Sequence, residues 1–260
     1  MESIDFVHGS GRELLPGTIP PELSLLTCLT TLVLTFKDGT IPTELGLLTK
    51  LRRLELISGG FGGSSIKGSI PTEIGMMTAL TSISFPQGLN GTLPSEIGRL
   101  TGLTALFLNK TDFCYHWEEC FQGTIPSEIG LLSGLESLEL GNNMLGGLLP
   151  SELGLLTSLL SFGHSCQVSC DRHNGTFSEL GNLAALEYMT VAYNGGLTGP
   201  LPTELRVIPC IYFTRITFSR WCMKEPRLVS ADGYNRELCW GGQSTETPYF
   251  CPKGVSNSTL

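Results

Sequence analysis

Two histidines and two cysteines lie within ten residues of one another in the chain: His164, Cys166, Cys170 and His173. These are residue types that bind Zn²⁺ through imidazole nitrogen and thiolate sulfur. His164, however, falls at a position where the other parts of the chain place an inward-facing leucine. A second cysteine pair, Cys114 and Cys120, holds the equivalent place earlier in the chain. We therefore predict no metal and no cofactor, and expect disulfides that close these two loops.

The remaining cysteines fall into two groups. Four lie near the carboxyl end, where two tryptophans accompany them: Cys210, Cys222, Cys239 and Cys251. We expect these four to be disulfide-bonded in a C-terminal cap, with their pairing left open because spacing alone does not fix connectivity. The ninth cysteine, Cys28, takes a position that holds Ala or Gly elsewhere, which favours a buried free thiol.

Catalytic patterns are weak. His116 with Glu118 and Glu119 offers acid–base side chains, yet neighbours in sequence seldom converge on one substrate. The chain has no GxSxG nucleophile motif, and the glycine-rich residues 59–63 lack the Lys-Ser/Thr ending of a phosphate loop. We predict that the protein is not an enzyme.

Composition narrows the class further. The 260 residues carry a net charge of −8 and form no basic stripe, which argues against nucleic-acid binding. No apolar run reaches the eighteen or so residues that a membrane-spanning helix needs. Much of the acidity recurs at one position, usually after Pro-Thr or Pro-Ser: Glu22, Glu44, Glu73, Glu96, Glu128, Glu152, Glu179 and Glu204. Proline and a carboxylate suit the first turn of a short helix, so these glutamates are interpreted as scaffold.

The glutamates belong to a unit that returns every two dozen residues or so. The unit reads LxxLxLxxN followed by LxGxIPxELGxL, as in the stretch IPSEIGLLSGLESLELGNN that begins at Ile125. Leu138 and Leu140 alternate as in a short strand with one buried face, and a helix-start signal precedes them. A single unit cannot bury its own leucines, so successive units must stack into a solenoid.

This unit resembles the plant-type leucine-rich repeat, whose LxGxIP segment is seen here at residues 145–150 and 197–202. The resemblance covers roughly residues 4–218 with about eight repeats. It implies an α/β, right-handed solenoid with a parallel sheet on the concave face and short helical or 3-10 turns on the convex face. Asn143 and Asn194 hold the family's inward asparagine position. We place the solenoid at residues 1–218 and a Cys/Trp-containing cap and tail at 219–260.

The repeats also alternate between short and long. The enlarged loops fall in alternate units, at residues 59–67, 111–120 and 165–173. Strands in a sheet stack at about 4.8 Å, so loops two turns apart would lie about 10 Å apart and could form a ridge. Tyr115, His116 and Trp117 are the candidate binding residues on this loop ridge.

The concave face offers a second candidate surface. Side chains on either side of the inward strand leucines point outward and form two rows across the sheet. Aromatic residues and arginine are enriched at interfaces, so we select charged and aromatic members of the rows as binding candidates: Arg53, Glu55, Phe107, Glu139, Tyr188, Phe213 and Arg215.

Glycosylation acceptors support a secretory route. Asn-x-Ser/Thr sequences begin at Asn90, Asn109, Asn174 and Asn257. Ile4 already matches a strand position, so the chain is expected to begin inside a repeat, with a signal peptide lost upstream. We predict a secreted or cell-surface protein, and whether it belongs to a larger receptor stays open.

Members of the resembled family serve as ectodomains of receptor-like kinases, inhibitors of cell-wall-degrading enzymes and secreted matrix proteins. The sequence thus favours a non-catalytic extracellular recognition module that binds a protein, peptide or polysaccharide through the concave sheet, the loop ridge, or both. The alternative is a structural cell-wall, matrix or adhesion protein that binds a repetitive surface. An enzyme is the least favoured class.

Overall fold

A computed structural model describes residues 2–6, 18–36, 39–58, 67–85, 89–108, 120–164 and 178–190 with nearly all of their side chains. Four further strands between residues 210 and 250 are described by their backbone alone. Strands in chain order are β1 (Ser3–Phe6), β2 (Thr31–Phe36), β3 (Arg53–Ser58), β4 (Ser82–Ser84), β5 (Gly91–Thr92), β6 (Ala105–Phe107), β7 (Phe121–Gly123), β8 (Ser137–Glu139), β9 (Met144–Leu145), β10 (Ser161–Gly163), β11 (Tyr188–Thr190), β12 (Cys210–Tyr212), β13 (Trp221–Val229), β14 (Asn235–Trp240) and β15 (Tyr249–Phe250).

Ten of the described strands form one sheet in the order β1-β2-β3-β4-β6-β8-β10-β11-β12-β15. Neighbouring strands from β1 to β12 run parallel, and β15 joins β12 antiparallel. Parallel strands need a crossover connection, which each repeat supplies through its convex turn. The fold is the predicted leucine-rich-repeat solenoid.

One buried side chain per strand forms a continuous column behind this sheet. Each member is the register partner of the next, and each is at most 7% exposed: Ile4, Leu32, Leu54, Ile83, Leu106, Leu138, Phe162 and Met189. This alignment confirms the prediction that stacking buries the strand leucines against those of neighbouring repeats.

Short 3-10 helices line the convex face opposite the sheet: Pro21–Leu25, Thr43–Leu47, Thr72–Met76, Ser95–Arg99, Ser127–Leu131, Ser151–Leu155 and Ser178–Asn182. Their backbone bonds span three residues, as in the 3.1 Å bond that Leu132 N donates to Ile129 O. From the first helix to Ser151–Leu155, each carries a glutamate in its first turn. These six recurring carboxylates therefore lie at the predicted scaffold position.

Glycine lets these helices approach one another closely. A Cβ atom on Gly98 would lie 2.5 Å from the Glu128 carbonyl oxygen of the next helix, and Gly130 approaches Glu152 in the same way. Such a separation is shorter than a van der Waals contact, so a larger residue would force the helices apart. The recurring glycine of the ELG motif thus sets the spacing of the convex face.

A smaller parallel sheet, β5-β7-β9, runs along one edge of the solenoid. Beside it lies Asn143, which is 2% exposed. Its Nδ2 atom lies within hydrogen-bond distance of the carbonyl oxygens of Leu108, Leu140 and Gly141, and its Oδ1 accepts from Phe121 N at 3.3 Å. The amide satisfies backbone groups at the turn, as the sequence predicts; Asn194 lies outside the described residues.

The segment placed in the C-terminal cap contributes to two sheets. Its strand β15 extends the main sheet, while β13 and β14 form an antiparallel pair. Register places Cys222 opposite Cys239 in that pair. The disulfides of the tail, those involving Cys210 and Cys251 included, and the boundary at residue 218 stay predictions.

Candidate binding surface on the concave sheet

Two positions on each strand flank the buried column and point to the concave side. On β3 these are Arg53 and Glu55, and on the later strands they include the half-buried Phe107, Glu139 and Tyr188. The alternation of a strand places them there, because residues on either side of an inward leucine face the opposite way. The structure thus arranges five of the predicted binding residues on one face.

Arg53 and Glu55 satisfy each other. The arginine Nη2 atom lies 2.5 Å from Oε2 of Glu55, and the arginine side chain is more than half exposed. An exposed pair of this kind contributes at most about 1 kcal/mol to stability. Its consequence for recognition is that neither charge is presented alone to a ligand.

Glu139 has different surroundings. It ends strand β8, and its register partners on the neighbouring strands are Phe107 and Gly163. Ser161 Oγ donates a hydrogen bond of 3.0 Å to Oε1 of Glu139. A Cβ atom at residue 163 would overlap Oε2 of Glu139, so the carboxylate occupies the space that a side chain there would fill.

Burial raises the pKa of the Glu139 carboxyl above its usual value, and the hydrogen bond from Ser161 opposes that rise. Desolvation disfavours the ionised form because water no longer surrounds the charge. An ionised Glu139 is therefore held in a poorly solvated position on an otherwise open face.

Aromatic side chains lie on both sides of this carboxylate across the sheet. Phe107 lies on β6, the strand before Glu139. Tyr188 lies on β11, two strands after Glu139, where it pairs with Ser161 of β10. Small residues fill the positions between and beside them: Ser84, Ala105, Ser137 and Thr190. We call Phe107, Glu139, Ser161, Gly163 and Tyr188 the concave cluster.

Two of the predicted binding residues were given the wrong register. Tyr188 and Thr190 pair with Cys210 and Tyr212, at the positions predicted for Phe213 and Arg215. In the observed register Ile211 pairs with the buried Met189, so that an apolar residue continues the column. Strand β12 therefore begins three residues earlier than the spacing of the other repeats suggests. Phe213 and Arg215 themselves lie outside the described residues.

Two cysteine predictions can be compared with the structure. Cys120 is disulfide-bonded, as predicted, while Cys114, its expected partner, lies outside the described residues. Cys28 is a free thiol, but it is exposed rather than buried. It lies in the turn between the first convex helix and β2, where the equivalent residues Gly102 and Ala79 are exposed or half-buried. A small residue at this position reflects the turn and not the core.

The other predicted sites fall mostly outside the described residues. These are the loop-ridge residues Tyr115, His116 and Trp117, the loop cysteines Cys166 and Cys170, and the acceptors Asn109, Asn174 and Asn257. Asn90 is half-buried and donates its backbone N–H to Gly68 O at 2.8 Å. Glycosylation at all four asparagines stays a prediction.

His164, from the possible zinc set, lies inside the solenoid. It is 3% exposed, its ring centroid lies 6.3 Å from that of Phe162, and its backbone N–H donates to Thr190 O at 2.7 Å. It occupies the inward position that Leu140 holds one strand earlier. Across the part of the chain that the structure describes, no three His, Cys, Asp or Glu side chains are grouped to hold a metal ion.

Sequence reasoning missed Ser161 and Gly163 as members of the concave cluster. Both residues stand in the predicted outward rows, but neither is charged or aromatic. The available signal was the pair of positions beside Glu139, where a glycine and a hydroxyl residue could accommodate and orient the carboxylate. Which way the glutamate leans cannot be read from spacing.

Solved structures share this architecture. The plant peptide hormone receptor RGFR1, solved in complex with RGF2, is 29% identical over 79% of the chain, with a TM-score of 0.65. The chain is a plant-type leucine-rich-repeat protein. The Arabidopsis receptor kinase HAESA, solved with the peptide hormone IDA and the co-receptor SERK1, matches 79% of this leucine-rich-repeat chain at 22% identity and a TM-score of 0.58.

The leucine-rich-repeat protein LIC12759 of Leptospira interrogans matches 84% of the chain at 22% identity, with a TM-score of 0.57. At this identity the likeness to LIC12759 and to HAESA shows the fold alone. The chain spans 31% of the RGFR1 structure, 37% of the HAESA structure and 50% of the Leptospira structure. No protein-family model and no curated protein matches the chain.

Among the described residues of this leucine-rich-repeat protein, no helix has the length and apolar character needed to cross a bilayer.

Proposed function

We propose that this solenoid is a non-catalytic recognition module that binds a peptide or an extended segment of a protein across its concave sheet. The observation that carries the proposal is the concave cluster, where a glutamate and two aromatic side chains stand among small residues such as Ser84, Ala105, Ser137 and Thr190. A flat open sheet with a few large anchors suits an extended ligand, because contacts are then spread along its length.

The similarity to RGFR1 supports a peptide over other ligands. RGFR1 is a plant peptide hormone receptor, and it was solved with RGF2. An extracellular or cell-surface location follows for the proposed module, in agreement with the disulfide at Cys120. The sequence also allows a polysaccharide ligand. It predicts the loop ridge as a second contact surface, and both stay predictions.

A direct test compares the two faces of the solenoid. The probe is a pool of random N-acetylated, C-amidated dodecapeptides, and retention on the immobilised chain is measured by mass spectrometry. The concave variant combines Phe107→Ser and Tyr188→Ser, and the matched convex control combines Leu47→Ser and Leu131→Ser, whose side chains are more than half exposed. We expect the concave variant to lose peptides that the wild type and the convex control retain.

Equal retention by the concave variant and the wild type, with both folded by thermal unfolding, would contradict the proposal. If only the convex control loses peptide retention, the binding surface is on the convex face. A third variant, in which Tyr115, His116 and Trp117 are all changed to alanine, tests whether the loop ridge contributes to the same binding.

A structural role on a repetitive surface is the second candidate, and one observation favours it. The last position of five convex helices carries an exposed apolar side chain: Leu25, Leu47, Met76, Leu131 and Leu155. A face that binds a lattice should itself repeat, and this row does so apart from Arg99, which ends the helix between Met76 and Leu131. Retention of the wild type on microcrystalline cellulose, abolished in the convex control, would support this role over peptide recognition.

A further inference from the structure

The charge and shape of the concave cluster narrow the chemistry of the ligand. Glu139 is half-buried, and its carboxylate lies over the backbone of Gly163. The hydrogen bond from Ser161 fixes one oxygen. The side chain is thus held across the next strand instead of extending freely into solvent. A charge that is already positioned loses little conformational entropy when a partner binds it.

The local charge balance leaves this carboxylate uncompensated. Across the described part of the chain, the ion pair on the concave face is Arg53–Glu55. Within that described part, Glu139 accepts one hydrogen bond, from the neutral Ser161, and forms no ion pair. A poorly solvated carboxylate gains more from an arriving cation than an exposed one does, because the attraction is weakly screened.

The neighbours of Glu139 favour an organic cation over a metal ion. Its register partners, Phe107 and Gly163, supply no oxygen or nitrogen side-chain ligands, so the Ser161 hydroxyl is the side-chain oxygen bonded to this carboxylate in the described structure. Divalent cations take several oxygen ligands. Guanidinium and ammonium groups, in contrast, are attracted to aromatic faces, and Phe107 lies on the strand adjoining Glu139.

We propose that Glu139 forms a subsite for a cationic side chain, arginine or lysine, of the ligand, with Phe107 and Tyr188 as its aromatic walls. The inference rests on the proposed function and adds to it a preference for peptides with a cationic residue. On the side of β4 and β6, Ser84 pairs with Phe107, and both Ser84 and Ala105 are small. We assign the preference to Glu139 and not to the other carboxylates of its row, because Glu55 on β3 is already paired and Asp5 on β1 is exposed.

The test uses dodecapeptide pools that differ at one fixed central position. That position is arginine, lysine, citrulline, norleucine or glutamate, and the remaining positions are drawn from uncharged residues. Citrulline keeps the shape of arginine without its charge. Retention of each pool is measured on the immobilised 260-residue chain for the wild type, Glu139→Gln and the matched control Glu55→Gln.

We expect the wild type and Glu55→Gln to retain the arginine and lysine pools about tenfold better than the citrulline and norleucine pools, a ratio that corresponds to 1.4 kcal/mol. In Glu139→Gln this ratio should fall to about one while uncharged pools are retained as before. Thermal unfolding of Glu139→Gln checks that the variant is folded.

Each other outcome has one meaning. Equal retention of all pools by the wild type, or an unchanged ratio in Glu139→Gln, overturns the cationic subsite and leaves peptide recognition standing. Loss of the ratio in Glu55→Gln as well would assign the preference to the general acidity of the face. If no pool is retained by any form of the chain, the proposed function fails, and the subsite fails with it.

Discussion

Glutamates on the two faces of this solenoid differ in how often they recur, in their neighbours and in their burial. On the convex face a glutamate recurs in the first turn of successive 3-10 helices, next to a Ser or Thr hydroxyl that contacts it in five of them. On the concave face Glu139 stands between Phe107 and Gly163, with a pKa raised by burial. One arrangement repeats with the fold, and the other occurs at a single strand.

This difference separates structure from recognition. A side chain that returns in each repeat answers a requirement that each repeat has, such as starting a helix at a favourable charge. A side chain that departs from the repeat meets no such requirement. In the case of Glu139, burial of the carboxylate also costs solvation free energy. Departures are therefore the places to look for binding, and changes there should affect ligands more than folding.

The largest expected effect is on the repeated core. Replacing Leu138 with alanine removes a fully buried member of the column and should lower the free energy of unfolding by about 2–5 kcal/mol. Chemical denaturation measures the loss. The control is Ser137→Ala on the same strand, at a half-buried outward position, with an expected change below about 0.5 kcal/mol. Similar losses in the two variants would be inconsistent with a one-sided core.

A smaller effect is expected where convex helices meet. In Gly98→Ala the new Cβ would lie 2.5 Å from the Glu128 carbonyl oxygen, so we expect a loss of about 1–3 kcal/mol from the strain. Gly134→Ala is the matched control, because nothing lies within 4 Å of its Cβ position. That variant should be neutral or slightly stabilised through the unfolded chain. Denaturation curves that rank the two alanines in the reverse order would show that the helices are not closely packed.

The smallest effects compare the glutamates of the two faces directly. Glu128→Gln removes a charge from the first turn of a convex helix and should lower stability at pH 7 by about 0.3–1 kcal/mol. Glu139→Gln should instead raise it. The raised pKa means that the unfolded chain loses this proton at lower pH than the folded chain does, so ionisation of Glu139 opposes folding.

The pH dependence of stability tests whether ionisation of Glu139 opposes folding. The stability gain of Glu139→Gln over wild type should be full at neutral pH and shrink as the pH falls through the raised folded pKa towards the ordinary value, below which both states hold the proton. Thermal midpoints measured from pH 3 to pH 7 provide the test. A gain that is constant over this range, or a loss at pH 7, would mean that burial does not disfavour the charged form.

Most of the fold could be predicted because the solenoid follows from a period. Leu54, Leu106 and Leu138 align because each repeat places its leucine at the same step, and Asn143 satisfies turn carbonyls for the same reason. The prediction failed where the period fails. At β12 the connection is three residues shorter, and Phe213 and Arg215 were assigned places that belong to Cys210 and Tyr212.

The candidate site was predicted only in part. The alternation of a strand placed Phe107, Glu139 and Tyr188 on the outer rows, since that depends on local geometry. The hydrogen bond from Ser161 and the space above Gly163 depend on how a side chain leans across neighbouring strands. That information lies in three-dimensional packing, and no spacing rule supplies it.

Carboxylate footprinting tests most directly whether ligand recognition belongs to the concave face and not to the convex face. Carbodiimide-coupled labelling with glycine ethyl ester, read by mass spectrometry, reports the accessibility of each glutamate with and without the arginine-fixed peptide pool. We predict that the pool lowers labelling at Glu139 and leaves Glu44, Glu73, Glu128 and Glu152 unchanged. Protection of the convex glutamates with Glu139 unaffected would contradict recognition on the concave face.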